Sequence, residues 1–85
     1  MIEMYSRVGC HYCTMAAELM RSRGIEFMEQ KLDVNFTREY LLEKFPNART
    51  FPVIVIDGYH IGGYTELVEH VKSQNNNAQL LNERV

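Results

Sequence analysis

Val53-Ile54-Val55-Ile56 is the most continuous apolar run in the chain, and every residue in it is β-branched. Such a run suits a central strand covered on both faces, which calls for a layer of structure on each side of a sheet. Pro52 opens it and Asp57-Gly58 closes it. Asp-Gly after a strand is a strong hairpin signal, so Tyr59-His60-Ile61 is expected to return antiparallel until Gly62-Gly63 breaks it.

The other elements follow from periodicity. Ile2 to Tyr5 reads as a short buried strand, followed by a loop over Ser6 to Gly9. From His11 onward, Cys13, Ala16, Ala17 and Met20 recur at helical spacing, while Glu18, Arg21 and Ser22 can face water. Gly24 stands where that helix should end. Ile25 to Val34 reads as a second strand. Asn35 is a good N-cap for a helix to about Phe45, with Phe36, Tyr40, Leu41 and Phe45 on one side, and Pro46-Asn47 stops it. Thr65 to Lys72 reads as a helix with Leu67, Val68 and Val71 inward. Ser73 to Asn77 reads as a polar loop, and Leu80, Leu81 and Val85 suit a short closing helix. The expected fold is α/β: a central four-stranded mixed sheet flanked by helices, in the order β-α-β-α-β-β-α, as one domain over 1–85.

Composition excludes several classes. Over 85 residues, 46% are hydrophobic and 24% charged, as in an ordinary globular domain. The formal net charge of −2 gives no reason to expect nucleic acid. No apolar run approaches the 18 or so residues of a membrane span, and no signal peptide is evident. The expected setting is the cytoplasm, and the expected state a monomer.

The two cysteines frame Cys10-His11-Tyr12-Cys13, between a strand and a helix. At a helix N-terminus Cys10 faces unpaired N–H groups and a partial positive charge, which favour thiolate. Cys13, one turn further on, should be more buried and stay protonated. The spacing brings the two sulfurs within bonding reach, so Cys10 can attack a disulfide and Cys13 can resolve the product. A structural zinc site would need two more ligands, and His11, His60 and His70 form no paired histidine motif, so no metal is expected. Two cysteines simply packed in a core are the remaining alternative.

With Arg49-Thr50-Phe51-Pro52 and Ile61-Gly62-Gly63-Tyr64-Thr65-Glu66-Leu67, the cysteine motif makes the chain resemble a dithiol glutaredoxin of the thioredoxin fold, compact like the bacterial and phage members. The resemblance covers nearly the whole chain. It implies that Cys10 is the nucleophile, Cys13 the resolving cysteine, and Pro52 a cis proline lying against the pair. It implies glutathione as reducing co-substrate, with the backbone of Phe51, where the family usually has valine, bonding the cysteinyl part. By the same resemblance Arg7, Arg38 and Arg49, beside Thr50, meet carboxylates, and Gly63, Tyr64, Thr65 and Glu66 receive the γ-glutamyl end. Thr65 stands where Asp or Ser is usual. Tyr12 matches the family's active-site aromatic and shapes the cleft. His11 departs from the usual proline, which puts the family's redox potential in doubt here. The implied partners are glutathione and disulfide-containing proteins, ribonucleotide reductase among them. Two alternatives stand beside this reading. One is a glutathione-ligated iron–sulfur cluster between two chains, since His11 removes a proline thought to hinder it. The other is a thioredoxin-like enzyme served by a flavoprotein reductase, against which the absence of tryptophan and the set of arginines argue.

Overall fold

The computed structural model describes the backbone of residues 1–83 and the side chains of residues 1–73. Seven elements follow one another: β1 (Ile2–Ser6), α1 (His11–Ser22), β2 (Phe27–Lys31), α2 (Arg38–Lys44), β3 (Val53–Ile56), β4 (Tyr59–Gly62) and α3 (Tyr64–Glu83). The strands form one mixed sheet in the order β2-β1-β3-β4. β1 and β2 are parallel, with Ile2 opposite Phe27 and Ser6 opposite Lys31. β3 is antiparallel to both β1 and β4. This is the expected order and the expected sheet.

The strand alternation divides the core into two layers. Met4 and Ile54 pack on one face with Ala16, Ala17 and Met20 of α1 and Leu67 and Val71 of α3. Tyr5, Val53 and Val55 pack on the other with Phe36, Leu41 and Ala48. Val53, Ile54 and Val55 are all buried, as their β-branched run requires. The Tyr5 ring meets Phe36 edge-on at 5.0 Å. Burial, with a hydrogen bond from its hydroxyl to Glu3, pushes the Tyr5 phenol up to about 12.

Local signals explain most boundaries. Gly24 follows the C-cap Arg23 with φ 69°. Its N–H donates to Arg21 and the Ile25 N–H donates to Met20, the paired bonds of a Schellman motif. Asp57 and Gly58 both have positive φ, as a type I′ hairpin turn needs.

Three expectations are corrected. The second strand ends at Lys31 instead of Val34, because the chain turns at Asp33 (φ 64°) and leaves Val34 exposed. The cap of α2 is Thr37, whose hydroxyl accepts from the Tyr40 N–H. Asn35 instead accepts from the Lys31 N–H within that turn, so the helix starts later and Tyr40 lies outward. The loop expected over Ser73–Asn77 and the separate closing helix are one helix through Glu83. No Gly or Pro follows Gly63, and each Asn costs at most about 0.7 kcal/mol in a helix, so polarity alone does not stop it. Val85 and the side chains of Leu80 and Leu81 lie outside the described residues. Among the described residues no helix is long and apolar enough to cross a membrane.

Candidate active site

β1 delivers the chain through Arg7, Val8 and Gly9 to Cys10, which caps α1. Cys10 and Cys13 are joined in a disulfide, with their Cα atoms 5.2 Å apart. The Cys13 N–H donates to Cys10 Sγ at 3.1 Å, so a helix-start donor favours negative charge on that sulfur. Cys10 is half-buried, whereas Cys13 is only 4% exposed. Cys10 is thus the more accessible of the two. His11 is exposed, 5.8 Å from the Tyr12 ring.

The second half of the site comes from the neighbouring strands: Val53, which follows Pro52, pairs with Tyr5 at the disulfide end of β1. The Phe51–Pro52 peptide is cis, as the resemblance implied. A Cβ placed on Gly63 would come 3.2 Å from the Pro52 carbonyl oxygen, so the start of α3 approaches the proline closely because Gly63 lacks a side chain. From there Tyr64 reaches back to Tyr12, their rings 5.6 Å apart. Tyr12, Tyr64, Gly63 and Pro52 thus link the two helix starts beside the disulfide. Phe51 packs its ring toward Phe36 at 6.4 Å.

The Gly63 N–H donates to Glu66 Oε1 at 2.8 Å, the reciprocal bond of a capping box. This bond and a second from the backbone N–H of Glu66 hold its carboxyl below the usual range, with a smaller pull from His60. Stability from a depressed carboxyl is in place above its unfolded pKa, about 4.3, and is lost as pH falls through the lower folded value. Glu66→Gln should therefore melt below wild type near neutral pH, with the gap closing as acid carries the pH below the ordinary carboxylate range. A gap that stayed constant in melts across this range would show that the charge does not make the cap.

The structure does not gather the three arginines in one place. Arg7 lines a cleft of about 530 Å³ that also touches both cysteines. Arg49 and Thr50 line a second cleft of about 230 Å³, with Gly63, Glu66 and His60. Arg38 is the exposed first residue of α2 and lines neither. Thr65 is exposed on the first turn of α3. Sequence reasoning missed His60 in the second cleft, and it missed Glu18, Arg21, Glu29 and Lys31 in the first. Glu18 and Arg21 were readable only as solvent-facing, and their cleft exists because β2 pairs beside β1. Among the described residues, no three His, Cys, Asp or Glu side chains gather as for a metal ion.

A Cys-x-x-Cys disulfide at a helix start, with a cis proline from a neighbouring strand end, defines a dithiol–disulfide protein of the thioredoxin fold. Residues 2–61 match the family model for glutaredoxin. Glutaredoxin 3 of Escherichia coli is 36% identical over 66 residues, covering 78% of this chain and 80% of that one. Glutaredoxin 1 of E. coli is 36% identical over 76 residues, covering 81% and 89%. The crystal structure of glutaredoxin 1 from Francisella tularensis superposes with TM-score 0.70 at 30% identity, over 88% of this chain and 95% of that one. A buckwheat glutaredoxin, solved as a complex with glutathione, gives TM-score 0.72 at 26% identity, over 86% and 69%. The chain belongs to the glutaredoxin family. Its Cys10–Cys13 pair is a redox-active dithiol, and its activity is thiol–disulfide oxidoreduction.

Proposed function

We propose that this protein is a glutathione-dependent oxidoreductase that reduces protein disulfides and glutathione mixed disulfides. The observation that carries the reading is the unequal pair: a half-buried Cys10 capping α1 and a buried Cys13 bonded to it. In the dithiol, the Cys10 thiolate attacks a substrate disulfide and forms a mixed disulfide, expelling the other sulfur as thiolate. Cys13 then attacks Cys10 Sγ, releasing the second substrate thiol and closing the internal disulfide. Two glutathione molecules return it to the dithiol and leave as glutathione disulfide.

Similarity to the glutathione-bound buckwheat glutaredoxin supports glutathione as the reductant. In this reading Arg7 and Arg49, with Arg38 at longer range, attract the carboxylates. The backbone of Thr50 and Phe51 aligns the cysteinyl part, and the close turn at Gly63, Tyr64 and the N–H of Thr65 meet the γ-glutamyl end. Glu66 serves as a positioning residue that orders the Gly63 turn. Disulfide-containing proteins are the second class of partner, ribonucleotide reductase being one to assay. The proposed setting is the cytoplasm, where reduced glutathione keeps such a pair in its dithiol form.

Turnover of a glutathione mixed disulfide should be sustained by glutathione with glutathione reductase, and not by thioredoxin reductase. Reduction by thioredoxin reductase alone, with no turnover on glutathione, would overturn the assignment.

A further inference from the structure

The cleft that both cysteines line has a charge order of its own. β1 and β2 are parallel, so Lys31, opposite Ser6, lies at the disulfide end of β2. α1 runs back the other way, and the Arg21 guanidinium sits 5.5 Å from the Phe27 ring at the far end. The groove therefore has α1 as one wall and the edge strand β2 as the other. Cys10 to Arg21 is eleven residues of helix rise, roughly 16 Å, the span of about five residues of extended chain.

Along that length the charges alternate in blocks. Arg7 and Lys31 stand near the disulfide, Glu29 and Glu18 in the middle, and Arg21 at the end. No ion pair joins these groups among the described residues. Ser6, a buried residue, donates from Oγ to Glu29 Oε2 at 2.9 Å, which fixes that carboxylate at the β2 wall. Five charges of both signs, none neutralised by another, make a poor seat for an apolar ligand and a good one for a chain with the opposite order.

We propose that this groove docks an extended segment of a disulfide-bearing polypeptide substrate, with an acidic residue beside its cysteine, a basic residue midway and an acidic residue at the far end. The proposal rests on the oxidoreductase reading above. The Cys10 thiolate attacks the sulfur of that cysteine; the Cys10–substrate bond forms, the old disulfide breaks, and the departing sulfur carries off the electron pair. The groove then holds the segment while the mixed disulfide lasts.

Two sets of end-blocked peptides test it, each with the cysteine as a mixed disulfide with thionitrobenzoate. One set carries the acidic–basic–acidic order and the other the reverse, and each is made with the cysteine at either end. The Cys13→Ser protein stops the reaction at the peptide adduct, and coloured thionitrobenzoate reports its rate. One peptide of the acidic–basic–acidic set should react about fivefold faster than its reverse at low salt. The difference should fade at high salt. The protein's net charge of −2 taken alone would favour the reverse set. Glu18→Lys with Arg21→Glu should erase the preference. Equal rates at low salt, a faster reverse set, or a preference that survives the double exchange would overturn the groove. Release no faster than with Cys10→Ser, for any peptide, would overturn the oxidoreductase reading itself.

Discussion

Cys10→Ser should lower thiol exchange by at least about a thousandfold, because the attacking sulfur is removed. Cys13→Ser should lose protein disulfide reduction yet retain reduction of glutathione mixed disulfides. The asymmetry comes from place, since the two residues are chemically alike. Cys10 caps α1, accepts the Cys13 N–H and is reachable, whereas Cys13 is packed beneath it. A small mixed disulfide needs only the first sulfur, since a second glutathione can finish the exchange. A protein mixed disulfide is released by the neighbouring thiol, whose local concentration free glutathione does not match. Coupled assays on both substrate types, with each variant, separate the roles. Activity that survived in Cys10→Ser and vanished in Cys13→Ser would reverse them.

The largest stability effect is expected at Ile54. Its side chain is fully buried between β1 and the helices, in one cluster with Met4, Met20 and Leu67. Truncation to alanine removes three buried carbons and leaves a gap between layers that the sheet holds apart. Ile54→Ala should cost about 2–5 kcal/mol, a large share of the roughly 5–15 kcal/mol that stabilises a natural domain. The melting temperature should fall by about 10 °C or more. Val34→Ala, at a position 74% exposed, should change stability by less than about 0.5 kcal/mol. Urea unfolding of both variants with unchanged slope makes the comparison. Equal midpoints would mean that the two-layer core around β3 is not what holds the sheet.

Where the sequence carried strong local signals, the elements lie where it put them. The Val53–Ile56 run, the Asp57-Gly58 turn and Gly24 each encode a conformation within a few residues, and the structure adopts all three. Weaker signals were decided by neighbours. Asn35 and Thr37 are both competent helix caps, and the choice fell to Thr37 because Asn35 is held by the Lys31 N–H in the turn after β2. The polar residues after Val71 carry no helix-breaking Gly or Pro, so α3 runs on where composition suggested a loop.

The dithiol was determined by the sequence itself, because a strand, a loop and a helix start place Cys10 and Cys13 using contacts only a few residues long. Its surroundings were not. Tyr12 meets Tyr64, and Gly63 meets the Pro52 carbonyl, across separations that only the β2-β1-β3-β4 order closes. The same order divided the arginines between separate surfaces, leaving Arg7 by the disulfide, Arg49 by His60 and Arg38 on α2. It also made a groove from Glu18 and Arg21 of α1 and Glu29 and Lys31 of β2. Charges on a helix and on a strand each read as solvated surface when taken alone. They become a site only when parallel pairing sets the two elements side by side, and that pairing is a long-range contact no local spacing encodes.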